Sequence, residues 1–240
     1  MDNLQGFGWH LLCKVMPQLA IRIQYRHILK SEIDFNNPKD LNEKINYLKL
    51  HADLREWARL ADKYAVRDYV KSLGIPEILV PLYGKYDTPQ ELIKNWDKFP
   101  EKFVIKANHG CGEIKLVRDK NAIDLAKLEA ALSSWLKETY GRDTNERHYL
   151  RIKPCLIAEE LLEDPSVASF SRSIMDYKVW CFDGKPYCIF VGVDRDVETH
   201  NHNVKFDIYD TSWNRREGVM TQAHALPPLL PKPKNFERLL

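Results

Sequence analysis

The sequence predicts an α+β protein, on three observations. Helical periodicity dominates residues 1–73. From residue 103 onward, short apolar runs come in pairs joined by glycine-bearing turns, which read as antiparallel hairpins. Helical stretches lie between those hairpins without strict strand–helix alternation. Helices first and hairpins after is the order of an α+β chain, not of an alternating α/β one.

The elements follow in order. Residues 1–30 set Trp9, Leu11, Leu12, Val15, Leu19, Ile21 and Ile23 beside Lys14, Arg22, Arg26 and Lys30, against the single acid Asp2. This reads as an amphipathic surface helix or as a helix packed on the body. Lys14, Pro17 and Arg22 interrupt it, so it is neither a signal-peptide core nor a membrane span. A peripheral membrane contact through residues 1–30 is one expectation.

Asn36-Asn37-Pro38-Lys39-Asp40 opens a helix with Leu41, Ile45 and Leu48 on one face. A second run carries Leu54, Trp57 and Leu60. A third has Asp62 as N-cap, then Val66, Tyr69, Val70 and Leu73, closed by Gly74. Lys63 falls in its first turn, where a cation opposes the helix dipole, so it has another reason to be there. Ile78 to Tyr83 reads as a short apolar strand or extended segment. Thr88-Pro89-Gln90-Glu91 is a capping box with proline at the first helical position.

Phe103-Val104-Ile105-Lys106 and Ile114-Lys115-Leu116-Val117 read as a hairpin, and Ile123 to Leu136 as an amphipathic helix. Leu156-Ile157-Ala158 is a buried strand. Tyr177–Phe182 and Tyr187–Val193 pair across Asp183-Gly184-Lys185-Pro186, and Val204, Phe206 and Ile208 alternate as a further strand. Pro227, Pro228, Pro231 and Pro233 stiffen the end.

A length of 240 residues suits one large domain or two small ones, and 44% hydrophobic content supports a real core. A net charge of +2 gives no call for nucleic acid, and no nucleic-acid partner is expected. The five cysteines are odd in number and contain no C-x-x-C pair, which argues for a reducing, cytoplasmic compartment. Cys181 and Cys188 flank the Asp183-Gly184 turn and could lie opposite each other as thiols.

The chemistry centres on Lys106 and the Asn108-His109-Gly110-Cys111-Gly112 turn. Glycines let backbone N–H groups approach an oxyanion, and the lysine adds a fixed charge, so the segment suits a phosphate. It is not a Walker A loop or a dinucleotide fingerprint, because it joins two strands. A plain hairpin with a solvated lysine is the simpler alternative. Lys63 and Lys178 are further cations at element edges. Glu159 and Glu160 follow a strand, and the chain through Leu161 and Leu162 could present its backbone to a purine. Arg195, within Asp194-Arg195-Asp196, could clamp a carboxylate or phosphate. His200 and His202 make a poor metal pattern at i, i+2 in a polar loop.

Together these segments resemble the ATP-grasp superfamily, in its TupA-like branch associated with teichuronopeptide and other cell-surface polymers and often labelled glycosyltransferase. The resemblance rests on Asn42-Glu43-Lys44-Ile45, Ala61 to Arg67, Phe103 to Gly112, Ile157 to Leu162, and Asp176-Tyr177-Lys178 with Phe182 to Pro186. It implies an N-terminal helical region over 1–50 and an ATP-grasp-like domain over 51–235. Within that domain it implies a lid at about 100–155 and a second subdomain at about 156–235.

By position, the resemblance makes Lys63 and Lys106 holders of ATP phosphates and the His109–Gly112 turn a closing loop. Glu159 would accept from the adenine amino group, with Glu160, Leu161 and Leu162 lining the slot. Lys178 would be a further phosphate contact, and Arg195 would meet the acyl phosphate or acceptor. The implied cofactors are ATP and Mg²⁺, and the substrate a small molecule or polymer precursor.

The branch's metal-binding carboxylates lie downstream of a Lys-Pro-containing stretch, here Pro231 to Glu237, and the sequence ends at Leu240. The metal ligands are therefore unknown, with Asp207 and Asp210 the nearest acids. Slow turnover and self-association or a partner chain at this end are expected. Two rivals stand: a nucleotide-sugar glycosyltransferase using Asp194 and Asp196 as a metal pair, and a non-catalytic nucleotide-binding module.

Overall fold

A computed structural model of the chain describes residues 2–195, 204–219 and 228–240, with side chains from Gly8. His200, His202, Asp196 and Pro227 lie outside the described residues. The chain divides into two compact units, Met1–Glu160 and Leu161–Leu240.

The first unit opens with helices α1 (Asp2–Val15) and α2 (Pro17–Leu29), split where Pro17 starts the second. Ile21 and Tyr25 of α2 bury against Ile33 and Phe35, with Tyr47 and Leu50 of α3 (Leu41–His51) packed on them. The expected face of α3 is thus not its inner one, since Leu41, Ile45 and Leu48 are exposed. Glu43 is the reason. Its carboxylate is buried and accepts the N–H groups of Lys39 and Asp34, which hold it below the usual carboxylate range. A backbone nest for this acid turns the Glu43–Tyr47–Leu50 side inward.

Helix α4 (Leu54–Ala61) buries Leu54 and Ala58, while Leu60 faces solvent. Asp62 does not cap the next helix. It accepts from the N–H groups of Tyr64 and Ala65, forming a turn, and α5 (Val66–Ser72) starts after that turn, leaving Leu73 exposed. The strand expected from Ile78 also begins later. Pro76–Ile78 is a 3₁₀ turn, and β1 spans Leu82–Tyr86. Pro81 has no N–H to pair, but its carbonyl accepts from Glu160 N.

Thr88 and Glu91 make the expected capping box on α6 (Pro89–Lys94). Strands β2 (Phe103–Ala107), β3 (Ile114–Val117) and β4 (Leu156–Glu160) complete an antiparallel sheet in the order β1-β4-β2-β3. Helix α7 (Leu125–Trp135) lies between β3 and β4 in sequence.

One face of the sheet, with Phe103, Ile105, Val117, Leu156 and Ala158, packs on Leu92, Trp96, Phe99, Leu128 and Leu132. Period-2 alternation therefore sends Val104, Lys106, Ile157 and Glu159 to the opposite face.

The second unit holds a sheet of β5 (Asp176–Phe182), β6 (Lys185–Val193) and β7 (Lys205–Asp210) in sequential antiparallel order. The β5–β6 turn is tighter than expected: Asp183 (φ 51°) and Gly184 (φ 70°) form it alone, as a type I′ hairpin needs. A bulge sets Trp180 opposite Cys188 and Cys181 opposite Pro186, so the two thiols do not face each other. Cys188 is buried and Cys181 exposed.

Ile189, Val191, Val193 and Tyr209 form the core with Leu230 and with Phe236 of α8 (Phe236–Leu239). The inward side of β7 is that of Tyr209, which stacks on Trp213 at 4.2 Å. Phe206 instead packs beside Phe190 at 5.2 Å. Periodicity marked the strand but not its inward side. Mixed helix with two antiparallel sheets is the α+β class that the sequence predicts.

Candidate nucleotide-binding site

The 108–113 turn between β2 and β3 is anchored by Asn108, buried at 1% exposure. Its amide Nδ2 donates to Asp62 Oδ1 (2.9 Å) and to the Lys153 carbonyl (3.1 Å). Its Oδ1 accepts from Cys155 N at 2.8 Å, and its backbone N–H donates to the Cys155 carbonyl at 3.0 Å. His109 is buried with its ring between Asn108 Oδ1 (3.2 Å) and the Glu138 carbonyl (3.3 Å). The imidazole thus ties the turn to the segment after α7.

The glycines follow from the backbone. Gly112 has φ 111°, a region L side chains avoid. A Cβ on Gly110 would run into the Glu113 carboxylate. Cys111 lies exposed between them.

Lys63 reaches this turn twice. Its backbone N–H donates to the Asn108 carbonyl at 3.1 Å, and its Nζ donates to the Gly110 carbonyl at 2.5 Å. Burial pushes the Lys63 pKa down. Glu113 and Cys111 oppose that shift, and the nearby Lys106 charge adds to it.

Lys106 sits on the open face of the sheet with Nζ 2.8 Å from Glu159 Oε1. The other oxygen of Glu159 lies 3.6 Å from an Arg67 guanidinium nitrogen, and Arg67 also donates to the Val80 carbonyl at 2.7 Å. The pairings Val104↔Glu159 and Lys106↔Ile157 make Lys106 and Glu159 diagonal neighbours on one face, within reach of long side chains. Glu159 is only 8% exposed and Arg67 only 11%, whereas Lys106 keeps 27%. The carboxylate is held inside by two cations, and one of those cations is open to solvent.

Lys63, Lys106, His109, Gly110, Cys111, Gly112 and Glu159 therefore gather within the first unit. Glu160 ends β4 exposed to solvent. Leu161 and Leu162 open the second unit, where Leu162 is exposed.

In that second unit, Lys178 and Arg195 both bind Asp176 Oδ2, Lys178 in a direct ion pair and Arg195 at 3.0 Å. Arg195 Nε is buried with no hydrogen-bond partner. Asp194 is already committed. Its Oδ1 accepts from Arg172 N, its Oδ2 lies 3.2 Å from Lys205 Nζ, and these contacts, the Arg172 N–H first, hold its carboxyl below the usual range.

Among the described residues no group of three or more His, Cys, Asp or Glu could hold a metal. Asp207 is buried against Arg215 at 2.6 Å. Asp210 accepts from Ser212 N, Asn214 N and the Asn214 side chain. The described residues thus offer no cluster that fits Mg²⁺.

Three residues beyond those the sequence marks for the site also build it: Asp62, Arg67 and Glu113. Arg67 interrupts an apolar helical run, and Glu113 is an acid closing a glycine turn.

Two antiparallel sheets with helices make an α+β protein, consistent with an ATP-grasp fold. The chain belongs to the TupA-like ATPgrasp family, whose profile matches residues 43–225. No curated protein and no solved structure matches it. Its general function is therefore of the ATP-grasp type, a class that binds ATP with Mg²⁺. Among the described residues no helix is long and apolar enough to cross a membrane.

Proposed function

We propose that the protein is an ATP-dependent ligase of the carboxylate–amine type, acting in the cytoplasm on a precursor of a cell-surface polysaccharide or teichuronopeptide-like polymer. The observation that carries the reading is Lys63 resting on the Gly110 carbonyl of the Asn108–Gly112 turn, with the Lys106 charge close enough to act on it. Both ammonium groups rest on protein oxygens, Gly110 O and Glu159 Oε1. Phosphate oxygens replace those partners when ATP binds, and the 109–112 turn closes on them. Glu159, still held by Arg67, then accepts from the adenine amino group.

The substrate carboxylate attacks the terminal phosphorus, the bond to the bridging oxygen breaks, and ADP leaves. The amine then attacks the acyl carbon and inorganic phosphate departs. Lys178 and Arg195, both held by Asp176 within the second unit, are the cations the resemblance assigns to phosphate and to the acyl phosphate or acceptor.

The rival nucleotide-sugar glycosyltransferase needs an acidic pair free to hold a metal–diphosphate. The commitment of Asp194 to Arg172 and Lys205 weighs against it.

Calorimetry with ATP against several sugar nucleotides tests the reading. ATP should bind best, and Lys106→Ala should weaken it at least ~10-fold, as loss of a charge-assisted contact of about 1.5–3 kcal/mol requires. Unchanged ATP affinity in a folded Lys106→Ala protein would sink the assignment. Phosphate release stimulated by an amine acceptor separates a ligase from a non-catalytic nucleotide binder.

A further inference from the structure

Helices α1 and α2 pack against each other and have a clear inner side. Trp9 Nε1 and Gln24 Nε2 donate to the Asp143 carbonyl, and Cys13, Ala20, Ile21 and Tyr25 are buried. The outer side is apolar and bare. Leu11 and Val15 on α1 are 51% and 66% exposed, Met16 at the corner 52%, and Leu19 and Ile23 on α2 40% and 45%. Each pair is spaced i, i+4, so it shares one helix face. Single exposed apolar residues are ordinary, but a run of them across two joined helices marks an interaction surface.

Charge decides what covers it. Between residues 3 and 31 there is no Asp or Glu, while Lys14, Arg22, Arg26 and Lys30 are all basic. Lys14, Arg26 and Lys30 are exposed, and Arg26 pairs with Glu32 just beyond this stretch. A second copy of this chain would set like charges against each other around the same apolar patch. An acidic surface with an apolar interior suits both features at once.

We propose that the outer face of α1–α2 docks on an anionic lipid bilayer, the aliphatic side chains entering the headgroup–acyl boundary and the bases meeting lipid phosphates. This placement is independent of the ligase reading. It requires nothing of Lys63 or Lys106.

The test is co-sedimentation of the full chain with vesicles of phosphatidylcholine alone or mixed with phosphatidylglycerol. Binding should be at least ~10-fold tighter on the anionic vesicles and should weaken as salt rises. The double variant Leu19→Glu/Ile23→Glu, on exposed positions, should lose it while retaining the wild-type circular dichroism spectrum. Arg26→Glu should weaken binding to the anionic vesicles only. Failure of the wild-type chain to bind anionic vesicles overturns the proposal. So does equal binding by the folded double variant, or a concentration-dependent dimer that the same variant abolishes.

Discussion

Replacing Asn108 with alanine removes the four side-chain hydrogen bonds that fix the start of the turn, to Asp62, Lys153, Cys155 and His109. Their losses are unequal. Asp62 is half-buried and Lys153 exposed, so water can replace the amide for both. Cys155 is 2% exposed, and its N–H is left without an acceptor. An orphaned buried donor costs about 1–3 kcal/mol, and the small void adds to it. Asn108→Ala should therefore destabilise the first unit by about 2–4 kcal/mol, a fall in Tm of roughly 5–15 °C for a unit of this size.

The same change frees the carbonyl that receives Lys63 N, so ATP affinity should fall as well. Asn108→Asp separates the two effects. It keeps an acceptor for Cys155 N but sets a carboxylate against Asp62. Such a pair raises the folded-state pKa of the new acid, so the variant is penalised as pH rises through the carboxylate range and relieved below it. Thermal denaturation at about pH 4.5 and pH 7.5, with ATP calorimetry at the latter, reads both. An unchanged midpoint and unchanged ATP affinity for Asn108→Ala would refute this account of the turn.

Glu159→Gln should narrow the preference for ATP over GTP, while Lys178→Ala should weaken both alike; equal losses in both variants in nucleotide competition would break the division of roles. Because burial already lowers the Lys63 pKa, ATP affinity should decline as pH climbs toward the ordinary lysine range, and Lys63→Arg should flatten that decline in pH-resolved calorimetry. Saturating ATP should protect the exposed Cys111 from alkylation by iodoacetamide, measured by mass spectrometry against Cys181 as an exposed control. Arg215→Ala leaves the buried Asp207 carboxylate uncompensated and should cost the second unit about 3–5 kcal/mol in denaturant melts.

Local grammar was the most readable part of the chain. Thr88 and Glu91 cap their helix as written, and Asp183-Gly184 makes a hairpin, because these devices depend on a few neighbouring residues. The inward faces were less readable. Glu43 turns α3 over because backbone N–H groups outside the helix supply its partners, which helical spacing cannot reveal. Asp62 looked like a helix cap and instead holds Asn108 across the fold. The lysines and glycines of the candidate site could be read from type and position. The roles of Arg67 and of Asn108 as an anchor were not legible, since they lie in contacts with Val80, Glu159, Lys153 and Cys155, distant in sequence.

The strand order of the first sheet has a consequence for how the chain acquires its structure. Strand β4 lies between β1 and β2, yet it is the last of the sheet to be synthesised. Until it arrives, β1 and the β2–β3 hairpin have no partner for the edges that will face each other. Closing the long loop back to β1 has to precede the ladder that rewards it, which slows folding. Meanwhile two unpaired strand edges stand open to other nascent chains. Residues 156–160, small as they are, thus act as a kinetic keystone. Ribosome-bound chains that stop short of them should be far more prone to aggregate than chains a few residues longer.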